Sequence, residues 1–239
     1  MKRIKITAIR QVDYKDLSLE ENGSMTYLSA KWKEIKELIA DLDREPYIDD
    51  QYEIAEIWKI CEEMIRSRKL QDESWENRKR VLKDIIESGD YYDYYGVIDP
   101  MQELFQALMQ NDSERIECAD MVFNIGTEFM QEDAAVIYKQ CGEMGKYLDY
   151  LWDHLRDEKA PYLELIDYYQ DRDLPMAIKA AELGMQKCKE EQTDILLFLL
   201  KLAVRNHDED GIKRLLKSSK LRQRVNYNRV MEEYARMRS

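Results

Sequence analysis

With two histidines in 239 residues, His154 and His207, the chain has little of the side chain on which most acid–base and metal sites rest. His154 follows Asp153, and His207 precedes Asp208, Glu209 and Asp210. A metal-dependent phosphohydrolase would need further His and Asp ligands at helical spacing, and the sequence does not supply them. Cysteine is also sparse: Cys61, Cys118, Cys141 and Cys188 stand 57, 23 and 47 residues apart, with no Cys-x-x-Cys pair. Buried free thiols in a reducing compartment are therefore expected, not a disulfide framework or a metal site. Eight Gly and four Pro are too few to punctuate a sheet-rich fold. No apolar run approaches the ~18 residues of a membrane span, and no apolar stretch of a signal peptide follows the basic opening MKRIKITAIR. These absences give a cytoplasmic expectation with no membrane contact.

Hydrophobic residues make up 44% and charged residues 36%, a balance that suits a folded, helix-rich chain and not a disordered one. Met25, Leu28, Trp32, Ile35, Leu38, Ile39 and Leu42 keep helical spacing. So do Ile54, Ile57, Trp58, Cys61, Met64 and Ile65 after an Asp49–Asp50 cap, and Trp75, Val81, Leu82, Ile85 and Ile86 before a stop at Gly89. Residues 2–9, KRIKITAI, alternate as a short N-terminal strand would. Further helices are predicted near 101–108, 113–125, 128–142 and 145–156, and a last one carries Val225, Tyr227, Val230 and Tyr234. The expected division is an N-terminal helical segment over 1–90 and a helical-repeat domain with a C-terminal cap helix over 91–239.

The organising stretch runs from Pro161 to Ser219. It reads as two helical hairpins, with Ala177 and Gly211 marking an offset of 34 residues. That offset sets Leu165 on Leu199, Tyr168 on Leu202, Ile178 on Ile212 and Gly184 on Ser218. A hairpin cannot bury its apolar face alone, so a repeat at constant offset predicts stacking. Asp173 caps the second helix of the first hairpin, and Pro175 in its first turn lacks a donor that would be unpaired there.

The run YYQDRDLPMAIKAAELG resembles the tetratricopeptide repeat, with an aromatic late in the first helix, a polar turn, then Ala-Ile and a small residue. The resemblance covers about 60 residues and implies an all-α fold: an α-solenoid of antiparallel helical hairpins in a tetratricopeptide-like superhelix, whose first helices face inward. Residues 145–219 look like the helical regions that accompany bacterial SWIM zinc fingers. The finger's own Cys-x-Cys and Cys-x-His pairs are missing, so that likeness brings no zinc. The first 17 residues resemble the start of a small bacterial family of no stated activity.

No Gly-rich phosphate loop, nucleophile elbow or Cys/His dyad is present, and paired acids such as Glu190–Glu191 read as solvated helix ends. No catalytic, cofactor or metal residue is assigned, and the chain is read as a non-enzyme. The stretch GDYYDYYGVIDP gathers Tyr91, Tyr92, Tyr94 and Tyr95, which either offer contact area to a partner or pack beneath a loop and cover the core. Tyr168, Tyr169, Arg205 and Asn206 are the expected groove residues of the repeats. Residues 201–239 carry 11 Lys or Arg against 5 Asp or Glu, net +6, while the whole chain is −12. Arg222, Arg224 and Arg229 on that basic face are the candidate contacts for an acidic partner or for another copy of the chain. Nucleic acid ranks below both, because the field of the whole molecule opposes polyanions. The leading expectation is a protein- or peptide-binding scaffold. The alternatives are a nucleic-acid-associated accessory and, more remotely, a metal-dependent hydrolase.

Overall fold

The structure, a computed structural model, describes residues 26–44, 51–88, 92 and 96–238. Among them every regular element is a helix, thirteen in number, and the fold is all-α. The strand expected over 2–9, the cap at Asp49–Asp50 and the stop at Gly89 lie outside the described residues. No described helix is long and apolar enough to cross a membrane. The chain divides into two compact units, Met1–Cys141 and Gly142–Ser239.

The first unit holds α1 (Tyr27–Arg44), α2 (Gln51–Arg66), α3 (Arg68–Asp72), α4 (Trp75–Glu87), α5 (Ile98–Ala107), α6 (Asp112–Ile125) and α7 (Glu128–Gln140). Helices start where a side chain can take up a free amide: Ser74 Oγ accepts from Asn77 N at 3.3 Å, and Asn111 Oδ1 from Glu114 N at 3.0 Å. Stripes at helical spacing form the core, with Leu28, Trp32 and Ile35 from α1, Ile57, Cys61 and Met64 from α2, and Leu82 and Ile86 from α4 all buried. The α1 helix packs on α2, α3 and α4; both α2 and α4 meet α5; α4 also meets α6, which α7 covers. Within the first unit α4 packs on both α5 and α6.

One charged pair lies inside this unit. Arg78, 3% exposed, donates from Nη1 and Nη2 to the Glu114 carboxylate at 2.6 and 2.8 Å, and from Nη1 to the Leu108 carbonyl at 2.6 Å. Glu114 also accepts from Gln110 N at 2.7 Å. The Arg78 bond holds the Glu114 carboxyl below its usual range, against the opposite pull of burial. The start of α4, the end of α5 and the start of α6 are thereby tied at one point.

The second unit holds α8 (Met144–Asp153), α9 (Ala160–Tyr169), α10 (Leu174–Lys187), α11 (Thr193–Arg205), α12 (Glu209–Leu221) and α13 (Tyr227–Arg238). Each helix packs on the next from α8 to α13, and α9 meets α11 as α11 meets α13. Asp173 caps α10 as expected, its Oδ1 accepting from Met176 N at 3.3 Å. Gly184 sits where three helices converge, since a Cβ there would stand 2.9 Å from Ile195 Cδ1 and 3.1 Å from Tyr162 Cγ.

The two hairpins do not share one offset. On the first helices burial at a spacing of 34 is mixed: Tyr162 and Leu196 are both buried, as are Ile166 and Leu200, but Leu165 is buried where Leu199 is half-buried. On the second helices the matching residues lie 35 apart. Asp208 Oδ1 caps α12 by accepting from Gly211 N at 2.8 Å, as Asp173 caps α10. Buried Ile212 takes the place of Ala177, and buried Ser219 that of Gly184. The pairings of Ala177 with Gly211 and Gly184 with Ser218 are thus corrected by one residue. The extra residue is in the turn, where Asp173 N bonds back four residues to the Tyr169 carbonyl but Asp208 N bonds back five to that of Ala203. His207 absorbs the difference at φ 53°, a left-handed conformation that costs a non-glycine residue about 1 kcal/mol.

Candidate functional site

Both histidines have structural settings. His154 ends α8 with its ring stacked on Tyr150, centroids 4.1 Å apart, and its Nδ1 is 2.9 Å from the Tyr150 carbonyl; His207 forms the turn just described. Among the described residues no group of three or more His, Cys, Asp or Glu side chains is placed to hold a metal ion. Burial pushes the Cys61 and Cys118 thiols up to about 12, far from the thiolate that a nucleophile requires.

The most developed surface feature lies on the second unit where α8, α9 and α10 meet. The α8 helix is fixed to α9 by the Tyr147 hydroxyl, which donates to Glu164 Oε2 at 2.5 Å; burial first, then this bond, pushes the phenol's pKa up. That anchor sets Trp152, one turn further on, beside Tyr169 with ring centroids 6.4 Å apart. Tyr168 meets Tyr169 edge to face at 5.0 Å. Lys179, from α10, places its Nζ 5.0 Å over the Trp152 ring, and the Arg172 guanidinium stands 4.5 Å over Tyr168. The three rings are half-buried and the two cations exposed. Trp152 Nε1 is buried without a hydrogen-bond partner. The face thus offers flat apolar area bordered by positive charge.

Of the residues named from sequence, Tyr168 and Tyr169 belong to this cluster. Trp152 and Lys179 join it unannounced: Trp152 reads as an inner-face residue in the α8 pattern, and nothing in the sequence joins Lys179 to it, 27 residues on. Arg205 and Asn206 are exposed at the end of α11, one hairpin along. Tyr92 is 4% exposed and lines a groove of the first unit; Tyr91, Tyr94 and Tyr95 lie outside the described residues.

The three C-terminal arginines serve the unit's own cohesion. Arg222 Nη1 donates to the Met185 carbonyl at 2.7 Å and to Gln192 Oε1 at 3.2 Å, and Arg224 Nη1 donates to the Cys188 carbonyl at 3.1 Å. Both act on the last carbonyls of α10, where a cation also complements the helix dipole. Gln192, 3% exposed, completes the join by donating from Nε2 to the Cys188 carbonyl at 2.7 Å. Arg229 pairs with Asp194 at 2.7 Å.

None of the protein-family models, curated proteins or solved structures compared with the chain matches it.

Proposed function

We propose that the chain is a non-enzymatic helical-repeat scaffold that binds a peptide or protein partner through the Trp152–Tyr168–Tyr169 face. The carrying observation is the cluster itself, three half-buried rings from α8 and α9 with exposed Lys179 and Arg172 over two of them. Tyr and Trp give much contact area for little lost rotamer freedom, which suits them to interfaces. A partner segment carrying apolar side chains and carboxylates fits: the former lie on the rings and the latter take the cations. The run of neighbour contacts from α8 to α13, with alternate helices α9, α11 and α13 also touching, supports a tetratricopeptide-like solenoid reading of this unit. The nucleic-acid reading draws no such support, because Arg222, Arg224 and Arg229 are engaged within the unit.

Affinity capture with the full chain tests the proposal. A partner retained by the wild type should be lost when Arg172→Glu and Lys179→Glu are combined, exposed changes expected to leave the circular-dichroism spectrum unaltered. The same partners held by both proteins, or none held by either, would overturn it.

A further inference from the structure

The first unit contains a groove of about 900 Å³ that the aromatic face does not involve. Its walls are α5 and α7, and its floor comes from Ile85 of α4 and Val122 of α6. Each wall helix is held from elsewhere, α5 by α2 and α4 and α7 by α6, with no extensive packing between the two. The lining follows α5 from Ile98 to Gln106 and α7 from Met130 to Gln140, so at 1.5 Å per residue the groove runs for ~12–15 Å along both. That is a trough between two helices, with the length of about two to three helical turns.

Its chemistry has one sign. Among the described residues the lining contains Glu103 and Asp133 but no Lys, Arg or His. Both acids are exposed, and no cation pairs with either among the described residues. Residues 98–140 hold nine acids and two bases; two of the acids, Glu114 and Glu117, are paired with Arg78 and Lys79 of α4, and the remainder still outnumber the bases. The same lining carries apolar groups: Phe105 and Met130 are half-buried, and Val136 is 42% exposed.

From the trough's shape and charge we infer that it is a docking site for a basic amphipathic helix of a partner protein. Apolar anchors at i, i+3, i+4 and i+7 would lie along the floor, and Lys or Arg on the flanks would meet Glu103 and Asp133. The wall helices supply the packing surface that a third helix needs, and Glu103 and Asp133, which meet no cation among the described residues, select its charge. This site is independent of the aromatic face, and either can fail alone.

The test uses the full chain and a fluorescent synthetic peptide of about 18 residues, with Leu at those anchor spacings and Lys elsewhere, followed by anisotropy at about 0.15 M salt. The expected result is saturable binding that weakens at least about tenfold when Glu103→Lys and Asp133→Lys are combined. Binding should be lost with Val136→Arg, an exposed position whose change leaves the helical signal intact, and should stay within about twofold for Asp167→Lys combined with Asp210→Lys, exposed acids of the other unit. No binding by the wild type would overturn the proposal, as when another segment of this chain fills the trough. Equal weakening by the two acid-to-lysine pairs would overturn it too, since it would reduce the effect to overall charge.

Discussion

The two units solve the problem of joining helices in opposite ways. In the first, a guanidinium and a carboxylate are taken into the interior and satisfied there: Arg78 reaches Glu114 and the Leu108 carbonyl, and Glu114 accepts in turn from Gln110 N. In the second, a close join is built from absence of side chain, Gly184 under Tyr162 and Ile195, and Arg222 and Arg224 bind helix-end carbonyls near the surface. A buried ion pair is costly to assemble and far more costly to break on one side, whereas close approach at a small residue fails by steric excess. The same all-α class therefore contains one unit whose weak point is electrostatic and one whose weak point is volume.

Truncating Arg78→Ala should have the largest effect, about 3–5 kcal/mol, because it leaves the Glu114 carboxylate buried without its partner. Urea unfolding checks this, and a cost within the range of a surface ion pair, below about 1 kcal/mol, would remove the contrast between the units. Gly184→Ala comes next, at about 1–3 kcal/mol, since Ile195 and the backbone-proximal atoms of Tyr162 would have to give way. Amide exchange should speed up in α9–α11, and an unchanged pattern there would show that the helices have room to part. The smallest effect is that of pH. The folded-state pKa of Glu114 lies below its ordinary value of 4.5, so as pH falls the unfolded chain takes the proton first. The stabilisation is present above about 4.5 and declines as pH drops through the lower folded-state value. The stability gap between wild type and Glu114→Gln should therefore narrow from pH 6 to pH 3, both measured by denaturant titration. A gap that widened would reverse the sign argued here.

Helix positions were the most legible feature, because apolar spacing reports the buried face directly: α4, α6 and α7 start within one residue of where the spacing puts them, and Asp173 caps as its type and place suggest. The buried ion pair was not legible. Arg78 and Glu114 are 36 residues apart, and a charged residue in an amphipathic pattern reads as surface until the partner helix is known. The change of register between hairpins escaped for a related reason. Small residues recur at both 34 and 35 in this sequence, and it takes the Asp208 cap, the burial of Ile212 and Ser219 and the backbone bond from Asp208 to Ala203 to decide between them. Half of the aromatic face was visible as Tyr168 and Tyr169. Trp152 and Lys179 were not, since cross-helix neighbours leave no spacing of their own.

The scattered thiols give each unit an internal probe of its opening. Cys61 and Cys118 are fully buried in the first unit, Cys188 is fully buried in the second, and Cys141 at the end of α7 is only half-covered. A thiol-specific reagent should modify Cys141 first, and the others only as fast as their surroundings transiently part. Comparing the slow rates at Cys118 and Cys188 would then measure how often each unit breathes, with no label added to the chain.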